Sequence, residues 1–320
     1  MSGKQSILIA GANGYLGSHI TELLHKSGHR VYALCLDWFE EMELWEKAGI
    51  KIIRGDITQQ ACFRLLEEYT FETIIHLVSL NHFDSEKDPE LALKVNVLPT
   101  WNFLKTFADK GLKKFIYFST QQVYGRIPAV EVDESYPPNP VNSYGLTHLQ
   151  SEQIVNFYNT TTDIESINVR LSNSFGAPVF EQNSCWWLVV NDLCKTAWEE
   201  KKIKLLSDGS PQRDFIHVSD VAGAVKVLVE SNTLKSNLFN ISSGHTYTIL
   251  ELAFMIQEIY NERYNTAIPI INAKGGAFKT DQKSKSKYTI QNSAITKAGL
   301  NIKTNISEGI NSLFDYLEKH

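Results

Sequence analysis

A Rossmann-type α/β fold, with a doubly wound parallel sheet and a smaller C-terminal α/β lobe, is predicted for this 320-residue chain by two observations. Short apolar runs alternate with amphipathic stretches through the first half, the pattern of βαβ units around a buried parallel sheet. The first of these runs leads directly into Gly11-Ala12-Asn13-Gly14-Tyr15-Leu16-Gly17. Dinucleotide folds place such a glycine trio where the first strand turns into the first helix.

The elements follow in order. Ser6–Ala10, Arg30–Leu34, Lys51–Ile53, Thr73–Leu77, Lys114–Ser119 and Ser166–Arg170 read as buried strands. Leu16–Lys26, Cys62–Glu68, Pro89–Lys110 and Tyr144–Thr160 read as the helices between them. Arg126–Pro140, rich in Pro and acid, reads as a surface loop leading into the Tyr144 helix. After Arg170 the alternation stops. A helix is expected over Asn183–Lys201, an extended segment over Asp214–Val218, a helix over Val221–Ser231 and a strand over Asn237–Ile241. Thr248–Tyr260 and Ser307–Lys319 again look helical. Residues 1–170 are thus expected to form the nucleotide-binding unit, with 214–242 returning to it. Residues 171–213 and 243–320 would form the substrate lobe.

Bulk properties narrow the function classes. Hydrophobic residues make up 43% and charged residues 21%, the balance of a water-soluble globular enzyme. A net charge of −5 lacks the basic footprint of a nucleic-acid partner. Cys35, Cys62, Cys185 and Cys194 are scattered without metal-ligand spacing, so no metal site is expected and reduced thiols are the simple reading. Neither a leader-like apolar run nor a membrane-spanning stretch is visible, which points to a cytoplasmic location and no membrane partner.

The glycine-rich turn carries the dinucleotide expectation. Glycine is needed where the chain turns tightly, where backbone approaches the pyrophosphate and where helix packs on strand. The helix beyond it offers free N–H groups and a positive dipole end. An acid normally ends the second strand to hold the adenine ribose. Here that position falls on Cys35, with Asp37 two residues further on. With no arginine at 35–37 to welcome a 2′-phosphate, NAD is favoured slightly and NADP is left open.

Further segments share one pattern: Gly55-Asp56-Ile57, His76-Leu77-Val78-Ser79, Asn96-Val97-Leu98-Pro99-Thr100, Phe118-Ser119-Thr120-Gln121-Gln122-Val123-Tyr124-Gly125, Asn142-Ser143-Tyr144-Gly145-Leu146-Thr147-His148, Arg170-Leu171-Ser172-Asn173-Ser174-Phe175-Gly176 and Gly209 through Phe215. Together with the glycine turn they resemble the extended short-chain dehydrogenase/reductases that act on nucleotide sugars. The resemblance implies a nucleotide-diphosphate sugar as substrate and a homodimer as the assembly. It implies cofactor contacts at Gly11, Asn13, Gly14, Tyr15, Leu16, Gly17, Asp37, Asp56, Ile57, Leu77, Val78, Ser79, Asn96, Tyr144 and His148. Tyr144 would be the acid/base at a sugar hydroxyl, usually on carbon 4, and Thr120 would bond the same oxygen. Gln121, Asn173 and Arg213 fall at substrate positions, the guanidinium of Arg213 being suited to a diphosphate. Trp186 and Trp187 read as core more readily than as base-stacking side chains. Lys279, Lys283, Lys285 and Lys287 read as a solvated charge run, with closure over a diphosphate as the alternative.

Gln121-Gln122 stands where the family's 4,6-dehydratases carry Asp-Glu, and amides cannot ionise to serve water elimination. A standard dehydratase is therefore disfavoured. His148 stands where the family carries a lysine that binds the nicotinamide ribose and lowers the tyrosine pKa. A fixed cation about 5 Å from the phenol, at effective dielectric about 20, is worth roughly 3 kcal/mol, or about two pKa units. A neutral imidazole forgoes most of that while keeping a hydrogen bond. The leading expectation is an NAD-dependent nucleotide-sugar epimerase or related oxidoreductase, with His148 anchoring the ribose. A ketoreductase or dehydrogenase that exchanges NAD(P), and a catalytically impaired cofactor- or sugar-nucleotide-binding protein, remain as alternatives.

Overall fold

The structure is a computed structural model that describes residues 4–128, 130–273, 276 and 287–320. Its centre is a parallel sheet built from β1 (Ser6–Ala10), β2 (Arg30–Cys35), β3 (Lys51–Arg54), β4 (Thr73–His76), β5 (Lys114–Thr120), β7 (Glu165–Leu171) and β11 (Leu238–Ile241); the short β6 (Glu131–Val132), β8 (Asn173–Phe175), β9 (Ile203–Leu205) and β10 (Gln212–His217) lie outside it. The strand order is β3-β2-β1-β4-β5-β7-β11, all pairs parallel. Order reverses between β1 and β4, the switch point where open α/β sheets bind ligands.

Alternation along β1 shows why the sheet is covered on both sides. Ile7 and Ile9 join a core closed by α1 (Tyr15–Lys26) and α9 (Val218–Glu230), with Ile20, Leu24, Val221 and Val225. Leu8 and Ala10 join the opposite core, closed by α3 (Gln60–Leu66), α6 (Leu98–Phe107) and α7 (Ser143–Thr161). Strands buried on both faces read as continuous apolar runs, and that is why they were visible in the sequence.

The expected Pro89–Lys110 helix is interrupted. It forms α5 (Pro89–Ala92), a π-turn over Leu93–Val97, and α6. Pro99 lacks the N–H that would continue the ladder, and the widened turn absorbs this loss. The break turns Asn96 inward, where its Oδ1 accepts from Leu80 N–H (2.7 Å) and its Nδ2 donates to Thr147 Oγ1 (2.9 Å).

The lobe core joins α8 (Val189–Glu200), α10 (Ile249–Tyr264) and α12 (Ile306–Leu317). Three features differ from the sequence expectations. The helix expected from Asn183 begins only at Val189, because Asn183 Nδ2 donates to the Asn13 carbonyl (2.7 Å) and holds 183–188 as a loop. Asp214–His217, expected to return to the nucleotide-binding unit, pairs with β8 and with β12 (Thr246–Thr248) in a separate small sheet. In the other direction, Ile295 and Leu300, expected in the lobe, pack into the core beneath α1 and α9. Lys279, Lys283 and Lys285 lie outside the described residues. Lys287 is paired with Glu251 at 2.7 Å.

Candidate active site

A cleft of about 330 Å³ opens at the C-terminal ends of β1, β4 and β5, a volume in the range of small-molecule sites. One wall is the glycine turn, with Gly11, Gly14, Tyr15, Leu16 and Gly17. Gly11 has φ +85°, a left-handed conformation suited to glycine. A Cβ on Gly17 would lie 2.0 Å from the Gly11 carbonyl oxygen, so strand and helix meet only if this residue has no side chain. Gly14 is the N-cap of α1 and offers no side-chain cap, and the helix has no acid in its first turn. Its N–H groups are thus left for an anion, and the turn fits the pyrophosphate of a dinucleotide. Asn13 braces the turn rather than walling the cleft: its Nδ2 donates to the Asp37 carbonyl at 2.9 Å.

The opposite wall carries the chemistry. Asn142 caps α7 by accepting from Gly145 N–H at 2.7 Å, and it donates to Gln122 Oε1 at 2.9 Å. This sets Tyr144 in the first turn of α7, facing the cleft beside Thr120 at the end of β5. Burial pushes the Tyr144 phenol above its ordinary value, opposed by the nearby polar side chains of Ser79 and Thr120. The Tyr144 and Thr120 side chains thus share the cleft with the glycine turn. That arrangement can move a proton at a bound hydroxyl while holding its oxygen in place.

His148 lies one turn beyond Tyr144 and is only 2% exposed. It does not wall the cleft. Its ring packs edge-on to Tyr144 with centroids 4.5 Å apart, and its Nδ1 lies 2.8 Å from the Tyr117 hydroxyl. Burial pulls its pKa down to about 3, so the imidazole is neutral at physiological pH. A full turn further, Glu152 accepts from Ser119 (2.6 Å) and pairs with Arg170 (2.7 Å), locking α7 to the sheet.

The other expected residues divide. Leu77 and Asn173 wall the cleft, Asn173 with its Nδ2 donating to the Asp214 carbonyl (2.9 Å). Val78 supports the turn, its Cγ2 lying 3.0 Å from where a Gly11 Cβ would stand. Asn96 is a buried bracket holding the loop after β4. Asp37 is exposed beyond the end of β2. Asp56 Oδ1 accepts from Thr58 N–H and hydroxyl (2.8 and 2.7 Å), and Ile57 is in the core. Arg213 is exposed, its Nη1 donating to the Gln212 carbonyl (2.7 Å), and it stands apart from the cleft walls. Gln121 is also corrected. The chain tightens into a 3₁₀ turn at Gln121–Tyr124 and brings Gln122 to the wall, leaving Gln121 buried.

Several wall residues had no sequence signal strong enough to single them out: Asn81, His82 and Ser184; Trp187, read from the sequence as core, also lines the wall. Trp186 and Trp187 separate here. Trp186 packs against the lobe core, while Trp187 is 55% exposed at the cleft mouth, its Nε1 donating to the Ser184 carbonyl (2.8 Å). The Asn183 tether that shortens α8 produces this difference.

Fold and cleft together define a Rossmann-type enzyme with a tyrosine and a threonine beside a glycine-rich turn. The chain belongs to the NAD-dependent epimerase/dehydratase family, whose model matches residues 7–242. It is 28% identical over 282 residues to a UDP-glucose 4-epimerase of Rhizobium meliloti, covering 82% of this chain and 84% of that one. To a putative UDP-glucose 4-epimerase of Methanocaldococcus jannaschii it is 26% identical over 257 residues, covering 78% and 81%. The fold is shared with the UDP-glucose 4-epimerase of Thermotoga maritima solved with UDP-glucose (TM-score 0.83, 21% identity, 98% and 99% covered). It is shared equally with the UDP-glucuronic acid 4-epimerase of Bacillus cereus solved with NAD (TM-score 0.81, 21% identity, 98% and 96% covered).

Proposed function

We propose that this protein is an NAD-dependent nucleotide-sugar 4-epimerase. The observation that carries the reading is the placing of Tyr144 and Thr120 in one cleft with an uncapped helix N-terminus that fits a pyrophosphate. The activities of the family relatives support it. Bound NAD would supply a reversible acceptor for the hydride on carbon 4. Tyr144 takes the proton from the carbon-4 hydroxyl and later returns it, while Thr120 holds the same oxygen. Gly11, Gly14 and the first turn of α1 bind the pyrophosphate. Trp187 at the mouth offers an apolar face to the sugar-nucleotide and excludes water. Gln122 and Asn142, bonded to each other, present amides rather than ionisable groups, consistent with epimerisation over dehydration.

The experiment is product analysis after incubation with UDP-, dTDP-, GDP- and CDP-sugars. Interconversion of a carbon-4 pair supports the reading, and cofactor that stays bound through purification separates epimerase from exchanging ketoreductase. A second reading, a binding protein with little turnover, is favoured by one observation: among the described residues no Lys or Arg lines the cleft, and His148 is buried. Ligand-induced stabilisation with no conversion of any sugar would support it.

The proposed assembly is a homodimer in the cytoplasm. Leu98 and Trp101 on α6 and Leu146 and Phe157 on α7 are exposed, and Trp101 stacks on Phe157 with centroids 5.9 Å apart. A continuous apolar face of this kind suits a two-fold contact with a second copy. Trp101→Glu should yield monomer by light scattering; an unchanged mass would move the contact elsewhere.

A further inference from the structure

The buried environment of His148 is itself organised. Its ring is faced by Tyr117 on β5 and by Tyr144 on its own helix, with His76 on β4 beside Tyr117 (centroids 5.7 Å) and Glu152 on α7 engaged by Arg170. Tyr117 is fully buried and burial pushes its phenol far up, so it keeps its hydrogen and must donate it. The hydroxyl lies 2.8 Å from His148 Nδ1. The only hydrogen bond of the Tyr117 hydroxyl among the described residues is the one with His148 Nδ1; Ser151, the other polar group beside it, instead donates to the Asn96 carbonyl (2.8 Å) and accepts from Thr100 (3.4 Å).

We propose that Tyr117 is a positioning residue: by donating to His148 Nδ1 it fixes the imidazole as the neutral Nε2–H tautomer, an uncharged donor in the slot where the family places a charged lysine. The hydrogen-bond account supports this. If Nδ1 accepts, the single proton of a neutral ring sits on Nε2. That nitrogen is buried without a hydrogen-bond partner; the Phe118 backbone lies alongside but makes no bond of proper geometry with it. An unpartnered buried N–H calls for a partner supplied from elsewhere, and the adjoining Tyr144 wall is where the nicotinamide ribose hydroxyls would lie. The device keeps the hydrogen-bonding half of the lysine's role and omits the charge. Its kinetic consequence rests on the epimerase reading; its structural content does not.

The test is a long-range proton–nitrogen correlation on the purified protein labelled with ¹⁵N-histidine, with His148→Gln used to assign the resonance. The expected spectrum has Nδ1 bare and Nε2 protonated, and Tyr117→Phe should lose that signature in favour of mixed tautomers. A protonated Nδ1 in the unaltered protein, or an unchanged His148 signal in Tyr117→Phe, overturns the proposal. The unaltered protein decides the tautomer even if Tyr117→Phe fails to fold. Where epimerisation is measurable, Tyr117→Phe should lower kcat by about tenfold with KM unchanged. It should then add no further loss in a His148→Gln background. Full additivity, or a change confined to KM, would mean that Tyr117 acts on something other than His148.

Discussion

Placing a cation at position 148 offers the sharpest perturbation of the site. In His148→Lys, an ammonium would occupy the space where the imidazole now packs 4.5 Å, centroid to centroid, from the Tyr144 ring. At about 5 Å from the phenol oxygen and effective dielectric about 20, the charge stabilises the phenolate by about 3 kcal/mol, or about two pKa units. The site is only 2% exposed, so desolvation lowers the pKa of the lysine as well and takes back part of that gain. The expected net effect is a shift of about one to two pKa units. In the native protein burial holds Tyr144 above its ordinary value, so on the proposed mechanism the phenolate should be scarce at neutral pH and turnover should rise with pH. In His148→Lys the ascending limb of kcat moves to lower pH, and the rate near pH 7 rises about 10- to 100-fold. The assay is epimerisation of saturating sugar nucleotide from about pH 6 to about pH 10. An unmoved limb would refute the electrostatic reasoning, and complete loss of activity would assign the imidazole a specific role.

Other predictions address separate links of the argument. Tyr144→Phe should lower turnover by about 10²- to 10⁴-fold while leaving NAD-induced stabilisation intact; unchanged turnover would remove Tyr144 from its role. Gly17→Ala, whose Cβ would meet the Gly11 carbonyl oxygen at 2.0 Å, should abolish the rise in Tm that NAD produces. Glu152→Ala leaves the buried Arg170 charge unpaired and should cost about 3–5 kcal/mol in urea unfolding. Burial holds His76 and His148 at about 3 in the folded protein. The unfolded chain therefore takes up more protons below its histidine value near 6.5, and stability is full above that pH and lost as pH falls toward 3. The loss is on the order of 3 kcal/mol for each histidine between pH about 7 and about 4. A urea midpoint that does not fall over this range would show that the rings are solvated.

The legible parts of the fold were those in which local pattern and tertiary environment agree. β1, β4 and β5 are buried on both faces and read as apolar runs, and the glycine turn is dictated by close contacts within a dozen residues. Tyr144 and Thr120 were legible because capping by Asn142 and the end of β5 place them from nearby sequence. What escaped depends on distant partners. The delayed start of α8 comes from the bond between Asn183 and the Asn13 carbonyl, 170 residues apart in the chain, and Trp187 reaches the cleft as a consequence. The 3₁₀ turn that substitutes Gln122 for Gln121 rotates the chain by less than any periodicity can register. His148 stood out four residues after Tyr144, but its link to Tyr117 did not, because the two residues are 31 positions apart.

The central claim is reversible hydride transfer at carbon 4 within one bound complex. The direct measurement uses a nucleotide sugar deuterated at carbon 4, epimerised by the purified protein without added cofactor. Retention of deuterium at carbon 4 of the epimerised product is the predicted result. Epimerisation with loss of the label to solvent, or no epimerisation across UDP-, dTDP-, GDP- and CDP-sugars, would contradict it.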